Sequence, residues 1–342
     1  MNTFDAYPEV RRLECLDTLE PVVARHMSTP IATWAEQLTN GLDTFSVGEQ
    51  DFRAYTDIPS DSTDSVVLMT GEHGNSYWAQ HNKRMPNPAV VRAHIIRDAI
   101  DPNATLAYFS GDALGEPNLH LSPDELKELN KGFLTPISDR IEALIAALPN
   151  HSELNRGTGI GMSLGATVLS NLMVFGNTPL NSAVYIEAPN VVERHKRELM
   201  KSFMTSGNEL AANIALNHDI ATSEVAAEHA KSVDIKSVRG VLGMGIFGVG
   251  LLALPTNRAL LRPMLTHSLS RQLAVSIKNG HNVVHAWGTK ANVSPVSGNR
   301  AIRDRFNDDP LYDSFEFFGQ HADHSLTNVY SVMGALARHA AR

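Results

Sequence analysis

The sequence predicts an α/β protein with a mostly parallel central sheet, helices on both faces, and a helical cap inserted over one edge of that sheet. Three observations point there. Short apolar runs bounded by glycine or proline recur along the chain, as buried parallel strands do. Helical patterns separate these runs, and that alternation builds parallel sheets. One long interval, 190–279, then carries helical patterns without a convincing strand.

Taken in order, residues 1–43 read as a helical extension ahead of the sheet. Residues 44–55 (TFSVGEQDFRAY) space their apolar side chains for extended chain around Gly48, which predicts a hairpin. Buried strands are predicted at 65–69, 104–109, 157–162, 182–186, 282–287 and 314–318. A helix is predicted over 122–148. It opens on Ser122, Pro123, Asp124 and Glu125, a serine cap with acids in the first turn, and carries Leu126, Leu129, Ile137, Ile141, Leu144 and Leu148 at helical spacing. A second helix, 163–174, starts directly where a glycine-rich strand ends. The expected domains are a core of 44–189 and 280–342 and a cap of 190–279. That cap includes the patterns ERHKRELMKSFM, SEVAAEHAKSV and LLRPMLTHSLSRQLAVSI. In open α/β sheets ligands bind at the carboxyl edge, so an insertion there reads as a lid.

Composition narrows the function classes. The 342 residues include 29 Lys and Arg against 37 Asp and Glu, a net charge of −8, with 43% hydrophobic and 19% charged positions. That is a globular balance. A single core stops growing near roughly 250–300 residues, which fits a core with an insertion. Negative charge without a Lys/Arg-rich stripe disfavours nucleic acid, whose phosphates demand a basic face. Cys15 is the only cysteine, so no intrachain disulfide or cysteine-based zinc site is expected, and a reducing cytoplasm is the expected location. Residues 1–20 carry charges and no apolar run, which is unlike a secretory signal. The greasiest stretch, 240–254, is rich in glycine and shorter than the ~20 residues that span a bilayer, so stable membrane insertion is not expected.

The sharpest motif is Gly161-Met162-Ser163-Leu164-Gly165, placed where a strand gives way to a helix. A tight strand-to-helix turn needs small residues two positions either side of the serine, and it lifts the hydroxyl to the helix N-terminus, where free N–H groups can meet a developing oxyanion. The competing reading is a serine that merely caps the helix. Three further segments sit at strand ends: Thr70-Gly71-Glu72-His73-Gly74-Asn75-Ser76, Tyr108-Phe109-Ser110-Gly111-Asp112, and Gln320-His321-Ala322-Asp323-His324-Ser325.

With these residues the chain, from about Thr44 to its end, resembles the α/β-hydrolase fold superfamily with a helical cap. The resemblance implies Ser163 as nucleophile, a histidine after the last strand as base, and an oxyanion hole of the Asn75 and Leu164 N–H groups. Of the two late histidines, His324 is preferred over His321, because its longer connection lets the loop reach back to Ser163. His73 precedes the serine and reads as a structural loop residue. The family most often places its acid after the penultimate strand, yet Gly288-Thr289-Lys290-Ala291-Asn292-Val293-Ser294-Pro295 holds no carboxylate. Glu187 is the candidate relocated acid: it follows the strand 182–186, and the order Ser163, Glu187, His324 keeps nucleophile, acid and base in the fold's sequence. An ion pair of Glu187 with Arg194 or Arg197 is the structural alternative. Asn292 could orient the histidine as a neutral group, and Asp313 and Asp323 are outsiders.

His281 and His285 flank a strand, where four residues span about 13 Å, so they cannot share a metal. No cofactor is implied. The expectation is thus a serine esterase-like hydrolase acting on a hydrophobic small-molecule acyl compound (ester, lactone, thioester or amide). Two alternatives stay open: a ligand-binding protein of the same fold that has lost its acid, and a cofactor-free transferase or peroxidase built on the same residues.

Overall fold

The computed structural model describes residues 16–71, 88–109, 121–202, 255–318 and 330–342. Two helices lead, α1 (Leu16–Ser28) and α2 (Ile31–Gly41), followed by an antiparallel hairpin of β1 (Leu42–Val47) and β2 (Gln50–Asp57). The hairpin turns at Gly48, whose φ of 58° glycine adopts without a Cβ clash. Facing pairs such as Phe45 and Phe52 set its register.

Next come β3 (Ser65–Thr70), α3 (Pro88–Ile100), β4 (Thr105–Phe109), α4 (Pro123–Lys131), α5 (Thr135–Ala146), β5 (Arg156–Met162), α6 (Leu164–Phe175) and β6 (Ser182–Ile186). The chain ends with α7 (Pro255–Thr266), α8 (Leu269–Lys278), β7 (Asn282–Gly288), α9 (Val296–Phe306), β8 (Tyr312–Phe317) and α10 (Tyr330–Ala340). The strands form one eight-stranded sheet ordered β1-β2-β4-β3-β5-β6-β7-β8, in which β3 to β8 run parallel and β2 is antiparallel to both its neighbours.

Alternation along the strands feeds two cores, one on each face. Val67, Met69, Ile160, Met162, Val184 and Ile186 join the cluster that also holds α3 and α10 side chains. Val66, Leu68, Ala183 and Tyr185 join the other, with α5, α6 and α8. Leu269, Leu273 and Ile277 form the buried stripe of α8, which packs on α6 and β7; burying each stabilises by roughly 1.5–3 kcal/mol.

The predicted helix 122–148 is in fact two. Gly132, at φ 100°, ends α4 in a left-handed cap whose N–H reaches the carbonyls of Glu128 and Leu129, and Pro136 opens α5. At its start the predicted capping box is present: Glu125 N–H donates to Ser122 Oγ at 3.3 Å, and Ser122 N–H donates to Glu125 Oε2 at 2.7 Å. Likewise the pattern LLRPMLTHSLSRQLAVSI is broken into α7 and α8 at His267 and Ser268.

This topology fixes where a ligand can sit. From β3 the chain runs outward to β4, whereas from β5 it runs the other way to β6, with α3 and α6 on opposite faces. Adjacent strands whose connections diverge leave a crevice at their carboxyl ends. That crevice lies between Thr70 and Ser163.

Candidate active site

Ser163 stands between β5 and α6 with φ 53° and ψ −122°, a backbone that costs an L-residue of order 1–3 kcal/mol. The two flanking glycines are what permit it. A Cβ on Gly165 would lie 2.1 Å from the carbonyl oxygen of Thr70, and one on Gly161 would lie 2.7 Å from Ala166 Cα and from the Gly165 oxygen. Helix α6 therefore starts pressed against the ends of both β3 and β5. The Ser163 N–H donates to Ile186 O at 2.9 Å, which ties the turn to β6. Its side chain makes no capping hydrogen bond to α6, so the helix-cap explanation of this serine does not hold.

Thr70 braces the same turn from β3. Its hydroxyl donates to the carbonyl of Gly165 at 2.8 Å, with Ile160 O at 3.3 Å, and the residue is 1% exposed. No pattern in the sequence singles out this threonine, because its role depends on a contact across 95 residues. Leu164, the candidate oxyanion donor, opens α6 beside it. There the first-turn N–H groups have no acceptor within the helix, and the helix dipole favours negative charge. Thr70, Phe109, Ile137, Leu164, Val168 and Leu260 line a small apolar cavity beside this terminus.

Glu187 occupies the equivalent position one strand along. Met162 pairs with Ile186 and Ile186 with Ala286, so Ser163 and Glu187 leave adjacent strands in the same register, about 5 Å apart by strand spacing. Glu187 is fully buried and also has φ 53°; among the described residues it and Ser163 are the only non-glycine positions with positive φ. Its N–H donates to Ala286 O at 3.0 Å, and its Oε1 accepts from Gly288 N–H at 2.6 Å. The carboxylate is thereby oriented by backbone.

The turn after β7, which lacks an acid, is held by another means. The Arg194 guanidinium donates to the carbonyls of Pro189 at 2.8 Å, Val293, and Asn292 at 3.4 Å, bridging the turns after β6 and β7. Burial pushes its pKa down to about 10. These contacts occupy Arg194 with carbonyl oxygens. Ala291 is buried and Asn292 is exposed. Nothing in the sequence marks this clamp.

The remaining candidates divide plainly. Asp313 lies near the start of β8, at the opposite sheet edge, and pairs with His339 at 2.9 Å. His285 is fully buried in β7, bonded to the Tyr312 hydroxyl at 3.1 Å, with its pKa pushed down to about 3 by desolvation. His281 contacts Ser276 instead, at 3.1 Å. Asn75, His73, His321, His324 and Asp323 lie outside the described residues, as does the glycine-rich stretch 240–254. Among the described residues no cluster of three His, Cys, Asp or Glu could hold a metal, and no helix is long and apolar enough to cross a membrane.

No protein-family model matches the sequence, and no curated protein matches it. Solved structures do match in fold. A hydrolase from Pseudomonas aeruginosa PA01 aligns with a TM-score of 0.51 at 12% identity, over 86% of this chain and 97% of that one. A bromoperoxidase from Bacillus anthracis aligns at 0.50 and 12%, over 85% and 96%. An alpha/beta hydrolase enzyme from a Medee basin deep-sea metagenome library aligns at 0.50 and 14%, over 86% and 95%. The mixed eight-stranded sheet, its helices on both faces and these likenesses identify the chain as a protein of the α/β-hydrolase fold.

Proposed function

We propose that the protein is a serine hydrolase cleaving a carboxylic ester or related acyl bond, with Ser163 as nucleophile, His324 as general base and Glu187 as the acid that orients it. One observation carries this reading. Ser163 is held at φ 53° between two glycines that have no room for a Cβ, and its hydroxyl is not used to cap the helix. Costly backbone of this kind persists where the surrounding structure enforces it, and it is concentrated at reactive sites.

In this reading the chemistry is acyl transfer through the serine. Ser163 Oγ adds to the substrate carbonyl carbon while its proton passes to His324. The carbonyl oxygen becomes an oxyanion that accepts from the Leu164 and Asn75 N–H groups. As the carbon–heteroatom bond breaks, the leaving group takes the proton from His324 and an acyl-serine remains. Water, deprotonated by the same histidine, releases the acid and restores Ser163. Glu187, aligned by Gly288 N–H, fixes the imidazole tautomer and stabilises its charged form. Segment 190–279, apart from α8, which packs on α6 and β7, is proposed to cap the crevice and to shield a hydrophobic small-molecule substrate from water.

The test is covalent. A fluorophosphonate probe labels Ser163, located by mass spectrometry, and Ser163→Ala abolishes both labelling and ester turnover while circular dichroism and Tm stay unchanged. Labelling at another serine, or persistence of labelling in Ser163→Ala, overturns the assignment. A protein that binds its ligand without catalysis gives neither labelling nor turnover.

A further inference from the structure

The bond that aims the Glu187 carboxylate lies at the margin of the sheet. Ile186 and Ala286 form the last pair of the β6–β7 ladder, the Glu187 N–H adds a bond to Ala286 O at 3.0 Å, and Gly288 N–H donates to the carboxylate at 2.6 Å. Past these residues β6 and β7 have both ended, and the two chains go separate ways. The Arg194 guanidinium rejoins them there. It donates to Pro189 O at 2.8 Å, two residues beyond Glu187, and also to the carbonyls of Val293 and, at 3.4 Å, Asn292, in the turn that follows Gly288.

We infer that Arg194 is a positioning residue: by tying the turn after β6 to the turn after β7 it keeps the Gly288 N–H on the Glu187 carboxylate, and so keeps that carboxylate aimed. The inference rests on the serine-hydrolase reading with Glu187 as its acid. The residue type suits the task. A guanidinium carries five donors in a planar fork and can serve carbonyls on two chains at once, whereas an ammonium is a single point with three donors. The fold itself has a second support at the same place. Helix α9 packs on the turn after β6, where a Cβ on Gly298 would lie 3.0 Å from Val191 O, and Asn299 Nδ2 donates to the carbonyls of Ser294 and Pro295 at 3.0 Å each. These contacts do not involve Arg194, so removing the guanidinium leaves the turns in place and loosens only their alignment.

The experiment compares Arg194→Gln, Arg194→Lys, Glu187→Gln and the Arg194→Gln/Glu187→Gln double variant in p-nitrophenyl acetate hydrolysis, with fluorophosphonate labelling of Ser163 on the same samples and Tm to confirm folding. Arg194→Gln lowers kcat by about 10–100-fold, as a small misplacement of a catalytic group does, and leaves KM within about twofold of wild type. Arg194→Lys recovers part of the loss. A well-aimed carboxylate favours the charged imidazole and raises its pKa, so the acid limb of the kcat/KM profile moves to lower pH in Arg194→Gln, in the same direction as in Glu187→Gln. In the Glu187→Gln background the arginine change costs little more, because its effect passes through that carboxylate. Arg197→Ala, which removes an exposed charge three residues away, stays within about twofold of wild type and serves as the control for charge alone. Turnover with a slow Glu187→Gln but an unmoved acid limb in Arg194→Gln, or losses that multiply in the double variant, overturns the positioning role alone. Should Arg194→Gln fail to fold, Arg194→Lys carries the same two readouts. A fully active Glu187→Gln, or a wild type without labelling and turnover, overturns the reading on which the role rests and the role with it.

Discussion

The turns that follow β5 and β6 share a backbone conformation, φ 53° at Ser163 and at Glu187, and differ in what holds it. At Ser163 the cause is steric and its permission is marked in the sequence: glycines two residues to either side let the helix and two strand ends, Thr70 O among them, approach to distances that a Cβ would forbid. At Glu187 no glycine lies within two residues along the chain, and the conformation is fixed by bonds to β7, from its own N–H to Ala286 O and from Gly288 N–H to its carboxylate. Both turns are held by long-range contacts, but only the first carries a sequence pattern that announces them.

The comparison can be broken by single substitutions. The largest expected effect is on catalysis: Glu187→Gln keeps an oxygen to accept from Gly288 N–H but removes the charge, so kcat falls by roughly 10³–10⁴-fold while stability stays near wild type. Steady-state kinetics with urea titration check both halves, and a fully active variant removes Glu187 from the triad. Next comes Gly165→Ala, whose new Cβ collides with Thr70 O at 2.1 Å. Backbone cannot yield there as a side-chain tip could, and a loss of about 3 kcal/mol in urea unfolding is expected. Smallest, and most diagnostic, is a pair of glycine replacements. Ser163→Gly relieves strain and should stabilise by about 1 kcal/mol while abolishing turnover. Glu187→Gly relieves the same strain but leaves the buried Gly288 N–H without its acceptor, for a net loss of about 1–2 kcal/mol. Opposite signs in thermal unfolding support two different causes for one conformation; equal signs refute it.

The same distinction explains what the sequence revealed. Strands β3 to β7 were legible because each is a short apolar run buried on both faces, a pattern with few competitors. The break in 122–148 is masked by periodicity: Leu129 and Ile137 keep helical spacing across it, while the one local mark of the break is Gly132, which takes up the left-handed cap. Among the candidate site residues, the location of Ser163 and Leu164 at a strand-to-helix turn was legible from the glycine spacing, and that of Glu187 from its position after a strand. The Thr70 brace and the Arg194 clamp could not. Each joins residues about a hundred positions apart, and neither a threonine at a strand end nor an arginine after a turn carries a local pattern.

The Thr70 to Gly165 hydrogen bond and the Ser163 to Ile186 bond also set an order of events. The first crosses 95 positions, and the second requires β6, which is made after the serine. Strained φ is disfavoured in a chain without those partners. A nascent or refolding polypeptide therefore carries an ordinary serine until β3, β5 and β6 have paired, and its hydroxyl becomes distinctive only with the late, long-range step of folding. The backbone of residue 163 is thus a reporter of completed sheet assembly.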